Sequence, residues 1–329
     1  MQGLRAAVIG AGYLGRFHAQ KYAVLPDVEL CAVVDLIEER ALEVAATSRA
    51  QALTDYRRIL DVVDVASVVV PPESHYAVAK DCLAAGVHVL VEKPMTRTLA
   101  EADELIALAR RQGLVLQVGH LERFNPALLA LRGILHQPMF IESLRIASFQ
   151  PRGAGVSVVM DLMIHDIDII LNIVASEVAA IRPMGLSVLT AEVDIANARL
   201  EFADGCVANV TASRVSHSPL RKIRIFQRDC YLSIDYLEHH LTIARRERDR
   251  ASETGAMRIV TEKKNIERAD ALLLELQAFV HAVINKTPPV VSGEDGRRAL
   301  AVALAITGSI EHRLLRPNAT GGADFTEAT

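Results

Sequence analysis

A glycine-rich loop near the N-terminus limits the folds that this chain can adopt. Gly10, Gly12 and Gly15 directly follow the apolar run at residues 6–9 and precede a helical segment at residues 13–24. In a dinucleotide-binding fingerprint, such glycines permit a tight turn, a close approach of the backbone to pyrophosphate and close packing of helix on strand. The pyrophosphate would lie at the helix N-terminus. The expected contacts in this loop are Gly10, Gly12, Tyr13, Leu14 and Gly15.

The order of predicted elements indicates two domains. Over the first 120 residues, continuous apolar runs alternate with amphipathic helical segments, as in a parallel sheet covered by helices on both faces. After about residue 137 the runs have alternating or mixed polarity, which is typical of antiparallel strands with one solvated or partner-covered face. Helical runs occupy residues 160–174, 269–285 and 293–315.

A chain of 329 residues is too long for one compact core. We predict an α/β Rossmann domain with a doubly wound parallel sheet over residues 1–122. An α+β domain with a large open antiparallel sheet follows over residues 123–316, with room for a C-terminal helix to pack back on the first domain. The tail over residues 317–329 has little to bury and is expected to be disordered.

Residues at strand ends favour NAD as the cofactor. Asp35 ends the second strand, 20 residues after Gly15, where a carboxylate accepts hydrogen bonds from ribose hydroxyls and repels a 2′-phosphate. Leu36 follows it, where a basic residue would have favoured NADP. Ligands bind at the carboxyl ends of parallel strands, so further cofactor contacts are expected from Pro71, His75, Glu92 and Lys93.

Three residues are candidates for catalysis. Lys93, in the Glu-Lys-Pro sequence after the strand at residues 87–91, could hydrogen-bond a substrate hydroxyl and stabilise charge on its oxygen. Asp161 and His165 share one helix face by their i, i+4 spacing, and a histidine suits acid–base work near neutral pH. A metal site and a purely structural histidine are the alternatives that the residues leave open, and no metal is expected. Lysine could instead be the base if burial lowered its pKa.

Four further residues are candidates for binding substrate. Arg123 and Asn125 follow the last strand of the first domain, where a plain loop-and-cap role is the alternative. Arg152 and Arg214 could meet an anionic substrate, since a guanidinium can hydrogen-bond phosphate oxygens in pairs. Surface charge is the alternative for both.

Composition limits the classes of partner that the protein is expected to bind. The net charge of −4 gives no electrostatic case for nucleic acid or an anionic membrane, and no run of about 18 apolar residues could span a bilayer. The four cysteines form no C-x-x-C pair, which favours reduced thiols in the cytoplasm. One broad sheet face should remain uncovered, so a homodimer or homotetramer through the antiparallel sheet is expected.

The chain resembles the Gfo/Idh/MocA family of oxidoreductases over roughly residues 4–316. Glu92-Lys93-Pro94 combined with Asp161-x-x-x-His165 carries this resemblance more specifically than the glycine loop does. It implies that Lys93 and His165 lie at the reacting carbinol and that Asp161 binds or orients the substrate. A non-catalytic regulator that senses NAD(H) or a sugar is the alternative from another functional class.

A narrower resemblance concerns one branch of this family. The segment at residues 119–126, together with residues 161–170, is similar to the branch that oxidises UDP-N-acetylglucosamine at C3. That activity implies a keto product consumed by an aminotransferase on the way to 3-amino lipid A. Dehydrogenation of a free sugar or an inositol-like polyol is the alternative. Where many family members carry a glycine triplet, this chain has the segment at residues 153–160, which weakens the case for inositol-type substrates.

Overall fold

The structure is a computed structural model that describes residues 3–151, 153–248 and 257–314. The tail predicted at residues 317–329 lies outside the described residues, and so does Arg152.

The N-terminal part contains the predicted parallel sheet. Six strands run in the order β3-β2-β1-β4-β5-β6, and every pair is parallel. The strands are β1 (Leu4–Ile9), β2 (Val28–Val34), β3 (Gln51–Leu53), β4 (Val65–Val68), β5 (His88–Glu92) and β6 (Leu116–Gly119). The helices between them are α1 (Tyr13–Tyr22), α2 (Glu38–Ala46), α3 (Pro72–Ala84) and α4 (Leu99–Gln112). Both sheet faces are covered, which is why these strands read as continuous apolar runs.

The C-terminal part is built on an open sheet of eight strands. It follows the four-residue helix α5 (Pro126–Leu129) and has the order β14-β13-β12-β11-β7-β10-β9-β8. The strands are β7 (Phe140–Ile146), β8 (Val178–Leu186), β9 (Ile195–Phe202), β10 (Val207–Ser213), β11 (Leu220–Gln227), β12 (Cys230–Asp235), β13 (His240–Arg248) and β14 (Met257–Asn265). The prediction of an antiparallel sheet is confirmed except at one pair: β7 and β10 run parallel, because the chain leaves the sheet through a helix between them.

Three helices complete the two cores, and the last of them packs against both. Helix α6 (Ile164–Ile173) packs in the core of the open sheet. Helix α7 (Ala271–Asn285) returns to the parallel sheet and packs beside α1. Helix α8 (Gly293–Leu314) contributes Leu300 to the core of the first part and Ile306 to that of the second. A C-terminal return was expected, although not that α7 covers the first sheet; the boundary at residue 122 stays a prediction.

Candidate functional site

The glycine loop has the shape that a pyrophosphate needs. Gly10 has φ +103°, and a Cβ there would lie 2.5 Å from the Val69 carbonyl oxygen. A Cβ on Gly15 would lie 1.8 Å from the Gly10 carbonyl oxygen, so neither position accepts a side chain. Gly12 faces open space and begins α1 without a side-chain cap. The N-terminus of this helix therefore lies at the loop, and the positive end of its dipole fits the phosphates of a dinucleotide.

Asp35 follows β2 and points at the glycine loop. Its carboxylate accepts hydrogen bonds from the Ala11 N–H at 2.8 Å and the Ile37 N–H at 2.9 Å. Leu36 beside it is 91% exposed and presents no charge to this edge of the sheet. The carboxylate is thus fixed by the backbone next to the loop, where an adenosine ribose would lie in a fold of this kind.

Lys93, Asp161 and His165 come together where the two sheets meet. The Lys93 Nζ donates to the Asp161 carbonyl oxygen at 2.6 Å and lies 3.4 Å from its Oδ1. Asp161 belongs to a π-helical turn, Val159–Met163, that precedes α6, and His165 lies in the first turn of α6. Such turns often occur at functional sites. Lys93 ends a strand of the first sheet, so the group is assembled from both parts of the chain.

The surroundings of His165 suit a proton acceptor. Burial lowers the pKa of this imidazole well below its usual 6.5, and the charges of Lys93, Arg145 and Arg221 lower it further. The ring is therefore neutral at neutral pH and can take up a proton. Its Nδ1 is buried and receives no hydrogen bond from the described residues.

Glu92 and His75 lie beneath the strand ends. The Glu92 carboxylate accepts a hydrogen bond from the His18 Nε2 at 3.2 Å on the α1 side of the sheet. His75 is 1% exposed, and both of its ring nitrogens lie 2.8 Å from carbonyl oxygens, those of Val70 and Pro94. Both residues were predicted to contact the cofactor, and their positions favour supporting the loops instead.

Arg123 and Asn125 make contacts within the protein, in contrast to their predicted contacts with substrate. The Arg123 guanidinium donates to both carboxylate oxygens of Asp168, at 2.7 and 3.0 Å, and also to the Asn172 side chain. Only 7% of its side chain is exposed. The Asn125 side chain caps α5 by accepting the Ala127 N–H. The loop-and-cap alternative is therefore the better account of both residues.

The Arg214 side chain also forms its hydrogen bonds within the protein. Its guanidinium donates to Asp194 Oδ1 at 2.7 Å and to the carbonyl oxygens of Gly153 and Val156, both at 2.7 Å. It therefore anchors the loop that lies against Asp161, and its predicted contact with substrate is not supported. Arg152, the first candidate for an anionic substrate, lies outside the described residues.

Comparison with known proteins agrees with this arrangement. Residues 4–120 match the family model described as "Oxidoreductase family, NAD-binding Rossmann fold", and residues 129–230 match the Gfo/Idh/MocA C-terminal domain. The chain is 40% identical to a UDP-N-acetylglucosamine 3-dehydrogenase of Acidithiobacillus ferrooxidans, with 95% of this chain and 99% of that protein aligned. The chain belongs to the Gfo/Idh/MocA oxidoreductase family.

Solved structures and a second relative place this Gfo/Idh/MocA oxidoreductase more closely. A structure of the Acidithiobacillus ferrooxidans enzyme superimposes with a TM-score of 0.88, covering 95% of this chain and 100% of that one. The myo-inositol 2-dehydrogenase of Thermotoga maritima is 28% identical over 94% of this chain and 97% of its own length. The predicted fold class and family are confirmed, and the protein is an oxidoreductase with an NAD(P)-binding Rossmann domain.

The structure of this Gfo/Idh/MocA protein adds residues that the sequence did not reveal. His120, directly after β6, is 1% exposed and close enough to His165 to affect its pKa. Burial also lowers the pKa of His120. His120 directly follows β6, the neighbour of the strand that precedes Lys93, and this position could have identified it from the sequence. Arg145 donates to Asp166 at 2.6 Å and to Glu122 at 2.9 Å, and nothing in the sequence pairs these residues.

Arg221 is a further cation near the site. It is exposed on β11 opposite Arg145, and directly opposed residues of an antiparallel pair share one face of the sheet. Among the described residues, no hydrogen bond or ion pair engages its guanidinium. Its charge still affects the pKa of both His165 and Glu122. Arg221 therefore has donors that a ligand could use.

The described ranges contain neither a candidate metal cluster nor a candidate membrane span. No group of three His, Cys, Asp or Glu residues there could hold a metal ion. No helix there is both long and apolar enough to cross a membrane.

Proposed function

We propose that this chain is an NAD-dependent dehydrogenase that oxidises the C3 hydroxyl of UDP-N-acetylglucosamine to a ketone. The observation that carries the proposal is that Lys93, Asp161 and His165 come together in a chain that is 40% identical to such an enzyme over nearly its whole length. The groups suited to bind and deprotonate a hydroxyl thus lie together at the carboxyl end of β5, where ligands of this fold bind.

The mechanism follows from the state of these groups. His165, whose imidazole is neutral at neutral pH, removes the proton of the substrate hydroxyl. The Lys93 ammonium hydrogen-bonds the same oxygen and stabilises its developing negative charge. Asp161 accepts a hydrogen bond from a neighbouring hydroxyl and holds the Lys93 side chain in place. NAD⁺, when bound at the glycine loop, would supply the electron-poor ring that accepts the hydride from the substrate carbon.

The dinucleotide would be held by the residues around the glycine loop. Gly10, Gly12 and Gly15 shape the turn, and the N–H groups of Tyr13 and Leu14 lie in the first turn of α1. Asp35 would hydrogen-bond the adenosine ribose, which favours NAD over NADP because a 2′-phosphate would meet its carboxylate. Pro71 occupies the N-cap position of α3, shortly after β4, and would border the dinucleotide.

The diphosphate of a sugar nucleotide requires a cation. Arg123 and Arg214 are engaged within the protein, so we assign this role to Arg221, whose guanidinium meets no described partner and whose charge reaches His165. A guanidinium can bind phosphate oxygens in pairs. Arg221 thus replaces Arg123 and Arg214 as the proposed contact of the anionic part of the substrate.

We also propose assembly through the open sheet. Phe140, Phe226 and Tyr231 stack across three strands, with centroids 5.6 and 5.0 Å apart, on the face opposite the buried Ile141 and Ile225. An apolar face of this kind usually finds a partner, which supports a homodimer or homotetramer.

The four cysteines are free, which supports the cytoplasm as the compartment. A ketone at C3 is a substrate for an aminotransferase, which we propose as the next enzyme.

The test uses purified protein, NAD⁺ and three candidate substrates: UDP-N-acetylglucosamine, free N-acetylglucosamine and myo-inositol. NADH is followed at 340 nm, and the ketone is trapped as its oxime and identified by mass spectrometry. The proposal expects turnover of the UDP-sugar with competition by UDP. Turnover of the free sugar at an equal rate, without inhibition by millimolar UDP, would replace it with a free-sugar dehydrogenase. Turnover of myo-inositol alone would favour the polyol activity of the 28% identical relative.

Lys93→Ala and His165→Ala test the chemistry itself. Each should lower kcat by about 10²–10⁴-fold, the usual contribution of a positioned acid–base group. Binding of NADH, followed by its fluorescence, should persist in both variants because neither side chain belongs to the glycine loop. Full activity of His165→Ala would remove His165 from the mechanism and leave Lys93 as the candidate base.

A further inference from the structure

A buried row of polar side chains lies under the strand that ends in Lys93. His18 and Tyr22 lie on the buried face of α1, and Ser67 and Glu92 point towards them from β4 and β5. The Tyr22 hydroxyl lies 2.9 Å from Ser67 Oγ, which lies 3.1 Å from the His18 Nδ1. The His18 Nε2 lies 3.2 Å from the Glu92 Oε1. Polar groups buried in such an apolar layer cost free energy of folding unless they are paired. An apolar row would fill the same space more simply, so these groups are expected to have a role beyond packing.

The direction of the hydrogen bond between His18 and Glu92 follows from the charge of the Glu92 carboxylate. Burial raises the pKa of its carboxyl, but the hydrogen bond from His18 and the charges of His18, Lys93 and His75 hold the pKa below its usual value. An ionised carboxylate only accepts, so the His18 Nε2 carries the proton. On the other side of the ring, the His18 Nδ1, the Ser67 Oγ and the Tyr22 hydroxyl continue the row. The row therefore ends in a hydrogen bond that His18 donates to Glu92.

Glu92 connects the row to the backbone of Lys93. Its second oxygen, Oε2, accepts the backbone N–H of Lys93 at 3.2 Å. The carboxylate also fills the space over Gly119, where a Cβ would lie 2.9 Å from the Glu92 Cδ. Both carboxylate oxygens are therefore engaged, one by His18 and the other by Lys93, and the group has little room to move.

We propose that His18 is a positioning residue for Lys93, acting through the Glu92 carboxylate. The same helix begins at the glycine loop, so α1 presents its N-terminus to the dinucleotide and holds, through His18, the strand end that carries the lysine. Loss of the His18 N–H releases one side of the Glu92 carboxylate, and the backbone of Lys93 then loses its fixed acceptor. The inference rests on the proposed function only in taking Lys93 to act on the substrate hydroxyl.

The test compares three variants, assayed with NAD⁺ and UDP-N-acetylglucosamine. His18→Leu removes both ring nitrogens, and His18→Gln keeps an N–H donor for Glu92. Tyr22→Phe removes a buried hydroxyl of the same row but leaves the bond between His18 and Glu92 in place, so it controls for lost buried hydrogen bonding. A lysine misplaced by about 1 Å should cost His18→Leu on the order of 10²-fold in kcat. His18→Gln should recover most of kcat, and Tyr22→Phe should retain it.

Further readouts separate positioning from stability. The KM for NAD⁺ should change little in His18→Leu, and the isotope effect on kcat with substrate deuterated at C3 should rise as hydride transfer becomes limiting. Hydrogen–deuterium exchange of the peptide containing Lys93 should be faster in His18→Leu than in Tyr22→Phe, and this measurement needs no turnover. A His18→Leu protein that melts earlier but keeps its kcat and isotope effect would overturn the proposal.

Other results of these experiments also support or overturn the proposal. If His18→Leu does not fold, a folded His18→Gln without recovered kcat, or without protection of the Lys93 peptide, overturns the proposal, and recovery of both supports it. If Lys93→Ala keeps full activity, the proposed function of Lys93 fails, whatever the exchange data show. If Lys93→Ala is inactive and His18→Leu is unaffected, only the role of His18 fails.

Discussion

Glu275→Gln should make the protein more stable relative to wild type as the pH rises. Glu275 lies on α7, is 0% exposed, and neither of its carboxylate oxygens has a hydrogen-bond partner among the described residues. Burial, assisted by the charge of Glu92, raises the pKa of this carboxyl well above its usual 4.5. The folded protein therefore holds a proton at Glu275 over a pH range in which the unfolded chain has lost it.

The sign and size of the effect follow from proton linkage. Because the pKa is raised on folding, the wild-type protein loses stability as the pH rises from 4.5 to the folded-state pKa. One proton is worth about 1.4 kcal/mol in the free energy of unfolding for each pH unit in that range. The glutamine side chain of the variant has no proton to lose, so the difference in stability between variant and wild type should grow with up to this slope. Other titrating groups are common to both proteins and cancel.

The assay is urea denaturation of both proteins at half-unit steps from pH 5 to pH 8, with thermal melting as a second measure. Glu311→Gln, at an exposed position on α8, is the matched control and should give a difference that does not vary with pH. If the Glu275→Gln difference is also constant across the range, Glu275 does not retain its proton on folding and the reasoning is wrong.

Asp35→Ala should narrow the preference for NAD⁺ over NADP⁺ in binding titrations, because it removes both an acceptor and a repulsion; wild-type protein that prefers NADP⁺ would contradict the role of Asp35. Arg221→Ala should raise the KM for UDP-N-acetylglucosamine about tenfold or more, because a charge-assisted hydrogen bond is lost. The KM for NAD⁺ should be unchanged. The activity of wild-type protein should decline on acidification only below pH 6.5, since the pKa of His165 is lowered from that value; a decline centred above pH 7 would point to another base. Light scattering at micromolar concentration should show a dimer or tetramer, which a charge at Phe226, as in Phe226→Glu, should dissociate.

The sequence was informative where chemistry follows from position along the chain. Lys93 was found because a polar residue ended a buried strand, and Asp161 and His165 because residues four apart share a helix face. It was uninformative where a side chain meets a distant partner. Arg123 and Asp168 are 45 positions apart, so no local pattern could show that the guanidinium is already occupied. Strands β13 and β14 carry many charged residues, which hide the alternation typical of a half-buried strand.

Two buried arginines, of which only Arg123 was expected at the substrate, contribute to the site by fixing the helix that carries His165. Asp166 and Asp168 follow His165 on α6 and are held by Arg145 and Arg123, respectively. Removing one partner of such a pair leaves a buried charge and costs about 3–5 kcal/mol, so α6 cannot easily rotate or slide. Arg123 follows the parallel sheet in the chain and Arg145 lies on the open sheet, so the two pairs fix α6 from both sides. Lys93 reaches the same helix start from the first sheet through Asp161. The position of His165 relative to Lys93 is therefore set by the two buried charge pairs on α6 together with the contact between Lys93 and Asp161, a constraint that exposed arginines could not supply.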